Sequence, residues 1–186
     1  MVKIVDTGKK LPKARIADLF ELWENRKKLV VKPVHDLSRN HGDVIYGRHA
    51  VNHLTGVTRG TYDFDVYSSH SKKHAIRIEQ SIDTGTDSNL AYVEPMTYVK
   101  DGKTKRVWRV RTRPHGQVEC DYQVKPRGLR YKSINGVRYE TLDRAEKKYG
   151  KMIRQGDMHR FPNAFFDYGD VKDHRNIKKG LRLWKK

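Results

Sequence analysis

Apolar residues in the first half of the chain recur at two periods, which predict alternating helices and strands. Between Pro12 and Val31 most of them lie three or four positions apart, as on an amphipathic helix, and Pro33 is expected to end that helix. Further apolar runs predict a strand at 43–46, a helix at 48–54, a strand at 61–68 and a helix at 71–83.

The second half of the chain begins as a run of strands and ends as helix. Strands are expected at 90–99, 104–113 and 117–125, with hairpin turns at Asp101-Gly102 and around Asn135-Gly136. A helix capped by Thr141 is expected to reach Arg154. Residues 155–170 show no clear period, and the basic segment 171–186 is expected to be a short helix.

This order of elements predicts an α+β fold in which a small mixed sheet is flanked by helices on one face. The expected units are a core at 1–130, which includes the N-terminal helix, and a C-terminal appendage at 131–186. The appendage combines a hairpin with basic helical segments. A single domain that includes both parts is the alternative.

The charge of the chain points to a polyanionic partner. Its 186 residues contain 40 Lys and Arg against 22 Asp and Glu, which gives a net charge of +18. Such a charge favours nucleic acid, nucleotides or an anionic surface as partners, although it does not predict a fold.

Composition also argues against membrane-embedded and secreted proteins. No stretch approaches the ~18 apolar residues that a membrane span needs. Residues 1–13 lack the apolar centre of a signal peptide. A single cysteine, Cys120, permits no internal disulfide. We therefore expect a soluble intracellular protein with no membrane partner.

Two carboxylates stand one residue apart in RGTYDFDVY, at 59–67, which otherwise reads as a buried strand. Residues i and i+2 of a strand point to the same face, so Asp63 and Asp65 project together while their aromatic and aliphatic neighbours face a core. Two such charges repel each other, and a divalent cation relieves the repulsion. Mg²⁺ takes oxygen ligands and keeps positions for water and substrate phosphates. The pair is therefore a candidate metal site, with an exposed strand edge as the plainer alternative.

Two further features supply what a phosphate-handling site needs. Gly47 follows an apolar strand and opens a helix, and a glycine there lets backbone N–H groups approach a phosphate. In a later strand Glu119 and Asp121 are expected to share one face, and Asp121 offers a third carboxylate beside Asp63 and Asp65. Three carboxylates suit a two-metal site, in which ions ~4 Å apart bracket the attacking and leaving oxygens.

The order of these residues resembles that of a known superfamily. Its elements in this chain are Gly47, Asn52, the string Arg59-x-Thr61-x-Asp63-Phe64-Asp65 and Asp121. In this order the chain resembles the polymerase-β-type nucleotidyltransferases, above all the minimal members found as abortive-infection toxins and in viruses and mobile elements. The resemblance covers about residues 43–125 and continues more weakly through 148–154 and 171–173. It departs from the superfamily at Gly47-Arg48, where relatives usually carry Gly-Gly or Gly-Ser.

The resemblance implies a nucleotidyltransferase-like fold and a metal-dependent enzyme that moves an NMP from an NTP to a hydroxyl, with nucleic acid as the expected acceptor. Mg²⁺ or Mn²⁺ would be the cofactor, and an antitoxin-like protein is a further expected partner in the host cell of a mobile element or virus. The implied catalytic residues and metal ligands are Asp63, Asp65 and Asp121. The implied nucleotide-binding residues are Gly47, Arg48, His49, Arg59 and Lys148.

A second set of basic residues is expected to bind nucleic acid. In KTKRVWRVRTRP, at 103–114, alternate arginines share one strand face, which would form a phosphate track or a solvated hairpin surface. Nearby aromatic residues offer platforms for bases. The predicted residues are Arg109, Arg111, Arg113, Lys125, Arg127 and Arg130.

Two other functions stay open on the sequence alone. A metal-dependent nuclease would use the same acids, but the usual ending Asp or Glu, one residue, then Lys is missing because Lys125 lies four residues after Asp121. A basic nucleic-acid-binding protein, for packaging or an accessory role, would keep the fold without activity. The triad of Asp63, Asp65 and Asp121 favours the transferase.

Overall fold

The computed structural model describes residues 12–57, 60–100, 103–113, 116–155 and 166–176. Its helices are α1 (Ile16–Arg26), α2 (Lys32–His41), α3 (Arg48–Thr55), α4 (Ser71–Gly85), α5 (Leu142–Arg154) and α6 (166–176). Its strands are β1 (Val44–Tyr46), β2 (Phe64–Ser68), β3 (Ala91–Lys100), β4 (Lys103–Thr112), β5 (Val118–Val124), β6 (Tyr131–Ile134) and β7 (Val137–Glu140). The predicted α+β class with helices around a mixed sheet is confirmed.

The strands of the described ranges form one mixed sheet in the order β3-β4-β5-β2-β1-β7-β6. The pairs β2–β5 and β1–β7 are parallel, and the other neighbours are antiparallel. The short strands β1 and β2 therefore lie in the interior of the sheet, between two hairpins. The C-terminal hairpin β6–β7 joins this sheet through β1, and the division of the chain near residue 130 stays a prediction.

One face of the sheet carries the hydrophobic core. Phe64 and Val66 of β2 and Cys120 and Tyr122 of β5 are buried there, in one cluster with side chains of α2 and α4. Successive residues of a strand point to opposite faces, so Asp65, between Phe64 and Val66, points away from this core.

The N-terminal helical region is longer than expected, and the prediction that Pro33 ends it is wrong. Pro33 lies in the first turn of α2, directly after a π-helical turn, where the i→i−4 ladder that a proline interrupts is already altered. A π-helical turn, Lys27–Val31, joins α1 to α2 without a break. Burial of Val30, Val34 and Leu37 in the core stabilises this continuation.

The apolar face of α1 points outward rather than into the core. The side chains of Ile16, Phe20 and Trp23 are 60%, 59% and 67% exposed. Leu22 and Asp18 are buried instead, and the Asp18 carboxylate accepts the backbone N–H of Arg15 at 2.7 Å. The apolar spacing predicted the helix correctly but not which side of it is covered.

The helix α6 begins in the segment in which no period was visible and continues through 171–176, where a helix was expected. Its Val171 packs with Val51, Ala145 and Tyr149 in a small second cluster between α3 and α5. No helix within the described part of the chain has the length and apolar character required to span a bilayer.

Candidate active site

The central parallel strands bring two of the predicted catalytic acids together. Asp65 of β2 and Asp121 of β5 are register partners, so their side chains leave the same face of the sheet at neighbouring positions. Asp63 lies two residues before Asp65, is exposed, and acts electrostatically on the neighbouring Arg109. Asp65 and Asp121 therefore lie side by side on the face away from the core, and Asp63 precedes them just before β2 begins.

Gly47 forms the turn between β1 and α3, and its geometry requires glycine. Its φ of 72° and ψ of −152° fall in a region that only glycine occupies readily. A Cβ at this position would lie 2.5 Å from Oδ2 of Asp65. The Asp65 carboxylate is thus packed against the beginning of α3, where the helix dipole favours negative charge.

Gly47→Ala is expected to lower the free energy of unfolding by about 3 kcal/mol, because it combines backbone strain with a clash against Asp65. The matched control is Gly56→Ala: Gly56 has a φ of 78° but nothing within 4 Å of a Cβ. The control should lower the free energy of unfolding by about 1 kcal/mol, because it introduces backbone strain without a clash. Chemical denaturation measures both, and equal losses would show that the contact with Asp65 has no energetic weight.

Asp121 is held by an arginine of the adjacent strand. Arg109 of β4 is its register partner, and Nε and Nη2 of Arg109 donate to Oδ1 and Oδ2 of Asp121 at 2.7 Å each. These hydrogen bonds raise the pKa of the Arg109 guanidinium. Both oxygens of the third carboxylate are thus engaged by a cation of the chain itself. The alternation of arginines predicts a phosphate track at Arg109 and does not indicate this pair.

Metal binding by Asp63 and Asp65 stays a prediction. Across the ranges that the structure describes, no three His, Cys, Asp or Glu are arranged to hold a metal ion. Mg²⁺ needs no such cage, since it binds through one or two carboxylates and fills its other positions with water and substrate phosphates. The carboxylates of Asp63 and of Asp65, which lies against Gly47, would be such ligands, and both oxygens of Asp121 are engaged by Arg109.

Two residues that flank the acids add an aromatic and a positive component. Tyr46 is the register partner of Asp65 in β1, and its ring stacks on that of Tyr67 with centroids 3.9 Å apart. Nζ of Lys148, from α5, lies 4.6 Å from the Tyr46 ring centroid. The buried phenolic oxygen of Tyr46 has no hydrogen-bond partner among the described residues. Burial raises the pKa of Tyr46, with smaller contributions from Asp65 and Tyr67. Lys148 was predicted, whereas Tyr46 was missed although it directly precedes Gly47.

Arg48 does not point at the glycine turn. Its Nε donates to Asp167 of α6 at 3.0 Å and its Nη1 donates to the carbonyl of Gly60 at 3.1 Å. Arg48 therefore ties α3 to α6 and to the segment before β2. Arg59, also predicted to bind nucleotide, lies outside the described residues.

His49 faces the core side of β2 rather than the acids. Its ring stacks on Phe64 with centroids 3.8 Å apart and an interplanar angle of 4°. Burial, assisted by the charge of Arg26, lowers the pKa of His49 to about 4. The residue is therefore neutral at pH 7 and brings no positive charge to a phosphate.

His49→Phe is expected to flatten the acid side of the pH–stability profile. As the pH falls below 6.5, the unfolded chain takes up a proton that folded His49 binds only near pH 4, so the wild type loses stability across that window. The loss is up to about 3 kcal/mol. Phe keeps the stack on Phe64 and does not titrate. Denaturation at several pH values should show that the free energy of unfolding of the variant rises relative to that of the wild type as the pH falls. A constant difference would contradict the shift.

The effect of His49 is measured by the difference in unfolding free energy between His49→Phe and the wild type, because other groups also titrate. Burial lowers the pKa values of His35, His41 and His53, and it raises that of Asp83 to about 6, which acts in the opposite direction. These contributions are common to both proteins and cancel in the difference.

The expectation that Glu119 shares the face of Asp121 is wrong, because a bulge interrupts β5. The β4–β5 register steps from Cys120 to Val118 and leaves Glu119 without a cross-strand partner. Glu119 is buried and accepts a hydrogen bond from Nε of Arg26 at 3.1 Å. Its carboxylate thus pairs with α1 and not with the acids of the site.

The predicted phosphate track is tied into the protein. Besides the pair of Arg109 with Asp121, Arg111 donates to Glu94 and to the carbonyl of Gly116. Three further intramolecular contacts are Nη1 of Arg113 with the carbonyl of Asn89 at 3.2 Å, Nη1 of Arg113 with that of Ala91 at 2.8 Å, and Nζ of Lys125 with that of Gly42 at 2.9 Å. Arg127 and Arg130 are exposed. Nucleic-acid binding by these six residues stays a prediction.

Comparison with known proteins places the fold. No protein-family model matches the sequence, and neither does any curated protein. The crystal structure of the Megavirus polyadenylate synthase matches 90% of this chain with a TM-score of 0.59 and 15% identity. This chain spans 39% of the length of that enzyme.

Two Helicobacter pylori structures match more weakly. One, assigned as a nucleotidyltransferase, has a TM-score of 0.41 and 14% identity, and the match covers 73% of this chain and 59% of that one. The other, the protein JHP933, has a TM-score of 0.37 and 13% identity over 94% of this chain and 100% of that one. These two TM-scores are too low to show a shared fold. The viral match, together with the mixed sheet flanked by helices, shows that the chain has a nucleotidyltransferase-like fold.

Proposed function

We propose that this protein is a nucleotidyltransferase that moves an NMP from an NTP to a hydroxyl of a nucleic acid. The observation that carries the proposal is the pairing of Asp65 with Asp121 on adjacent strands, with the Gly47 turn packed against Asp65. The fold that the chain shares with the Megavirus polyadenylate synthase supports the same class of reaction.

Asp63 and Asp65 would hold Mg²⁺ or Mn²⁺, together with phosphates of the bound nucleotide. When bound, the ion supplies charge neutralisation at the triphosphate and at the reacting oxygens. The first turn of α3 leaves backbone N–H groups without acceptors inside the helix, and these would receive a phosphate at the Gly47 turn. Lys148 would add a positive charge from the side of α5.

Asp121 would accept the proton of the attacking hydroxyl after Arg109 has released it. Both oxygens of Asp121 accept charge-assisted hydrogen bonds from Arg109, so an attacking hydroxyl would have to compete with that guanidinium for them. A phosphate offers Arg109 the same bidentate geometry that the Asp121 carboxylate offers. Substrate phosphate would therefore compete for Arg109 and free the base at the time of reaction.

A nucleic-acid-binding protein without transferase activity is the second candidate, and the Arg109–Asp121 pair favours it. If the pair persists with nucleotide present, the third carboxylate neither binds a metal nor takes a proton. The tie of Arg48 to Asp167 points in the same direction, because it removes a cation from the glycine turn.

Transfer of label from an NTP tests the proposal. The protein is incubated in Mn²⁺ with each labelled NTP and with RNA, DNA or protein as acceptor, and covalent label on at least one acceptor is expected. Asp121→Asn should abolish it, since the base is lost. Metal and nucleotide binding with no label on any acceptor would leave the binding protein as the function, and shortened acceptors would indicate a nuclease.

A further inference from the structure

A basic surface lies on the core side of the sheet, away from the acids. We call it the α4 basic face and define it by Lys72, Lys73, Arg77, Arg106 and Trp108. Lys72, Lys73 and Arg77 line one shallow, open depression along α4. Arg106 and Trp108 belong to β4, which packs against α4.

The cations of the α4 basic face are not neutralised by acids. Within the described ranges, none of its four cations has a carboxylate partner. The guanidinium of Arg77 contacts Nε2 of His41 at 2.9 Å, which leaves its charge uncompensated. Arg109 and Arg111, on the opposite face, are paired with Asp121 and Glu94. The positive potential available to a partner is therefore greater here than along the arginines that the sequence pointed to.

The ring of Trp108 contacts two of these cations. Nζ of Lys72 lies 5.0 Å and Cζ of Arg106 lies 5.8 Å from the centroid of its ring. Cation–π contacts of this kind restrain long side chains that would otherwise lose entropy on binding. Trp108 is itself half-buried against the core, so the position of the two charges is set by the fold.

We propose that the α4 basic face binds a single strand of nucleic acid through its phosphates. Several uncompensated Lys and Arg side chains around an aromatic ring are the features that bind a single strand without reading its sequence. A lipid surface is less suited, because interfacial binding of a helix needs exposed apolar side chains, and none of the five residues is an exposed large apolar side chain.

This surface is separate from the acid site. Trp108 lies on the same face of the sheet as Tyr122, its register partner in the core, whereas Asp121 points to the other face. A strand held on the α4 basic face is therefore anchored away from the acids. Binding there does not depend on transferase activity and can be measured without it.

Salt-dependent binding of a labelled oligouridine and a labelled oligothymidine tests the proposal. Lys72→Gln, Lys73→Gln and Arg77→Gln together should weaken binding of both at least tenfold. The slope of log K against log salt should become shallower by about 2, which is ~0.7 for each of the lost phosphate contacts on a single strand. The matched control is Lys27→Gln, Lys28→Gln and Lys147→Gln, which removes three exposed charges at other places and should keep the wild-type slope.

Three results would overturn the proposal. Equal losses in the two triple variants would mean that only net charge matters, and no loss in the first would mean that the strand binds elsewhere. Loss of binding to phosphatidylserine vesicles with unchanged oligonucleotide binding would assign the face to lipid. The Mn²⁺-induced rise in melting temperature should be the same in the wild type and in both triple variants. A failure of this proposal is thereby distinguished from a failure at the acid site.

Discussion

Replacement of both Asp63 and Asp65 by Asn is expected to abolish the thermal stabilisation that Mn²⁺ gives the wild-type protein. A ligand that binds only the folded state stabilises it by mass action, by about 2.7 kcal/mol when its concentration is 100 times its Kd. Without metal the double variant should be about as stable as the wild type, because relief of the repulsion between two like charges offsets the loss of the favourable position of Asp65 at the beginning of α3. Melting curves recorded with and without Mn²⁺ measure both effects.

The matched control for this variant is Glu21→Gln with Glu24→Gln, which removes two exposed acids from α1. It should keep the full Mn²⁺ shift. Transfer of label from NTP should be lost in the aspartate variant and retained in the control. A wild-type thermal shift in the aspartate variant would place the metal elsewhere in the protein, whatever its effect on activity.

Local periodicity was enough to predict most of the fold around the site. The pattern of period two placed Asp65 opposite the core-facing Phe64 and Val66, because side-chain direction in a strand depends only on neighbouring residues. A glycine between an apolar strand and a helix likewise predicted the turn at Gly47, whose positive φ no other residue adopts readily.

The pairings between residues of adjacent strands could not be predicted from the sequence, because they depend on the register of the strands. Arg109 is the partner of Asp121 only because β4 and β5 align at that position, and a shift by one residue would send their side chains to opposite faces. The bulge that turns Glu119 toward Arg26 is a one-residue insertion in the ladder, which no periodicity reveals. The first error arose from an unknown register, and the second from treating alternation as unbroken along β5.

The ion pair of Arg48 with Asp167 shows a different limit. The two residues are far apart in the chain and meet only because α6 packs against α3 and α5. An arginine next to a glycine turn suggests a phosphate ligand from the sequence, yet the nearest carboxylate in space decides its position. Tertiary contacts thus hold the Arg48 guanidinium on Asp167, although its position next to a glycine turn suggests a contact with substrate.

Arg109→Gln is expected to produce the second large effect. It should lower the stability of the apo protein and increase the affinity for Mn²⁺. Asp121 is 8% exposed, so loss of its bidentate partner leaves a nearly buried charge without its guanidinium. We expect the free energy of unfolding of the apo protein to fall by about 3 kcal/mol. The freed carboxylate then becomes a third ligand beside Asp63 and Asp65, so Mn²⁺ should bind more tightly and raise the melting temperature further than in the wild type. Calorimetric titration and melting curves measure the two effects.

A companion variant separates the charge of Arg109 from its geometry and from Asp121. Arg109→Gln combined with Asp121→Asn should recover most of the lost stability, because no unpaired charge remains, and should return the Mn²⁺ shift to the wild-type level. Arg109→Lys keeps the charge without the bidentate fork and should fall between the wild type and Arg109→Gln in both measurements. Unchanged Mn²⁺ affinity in Arg109→Gln would mean that Asp121 does not reach the metal even when released. The ligands would then be Asp63 and Asp65 with substrate phosphates, and the Arg109–Asp121 pair would be a structural part of the sheet.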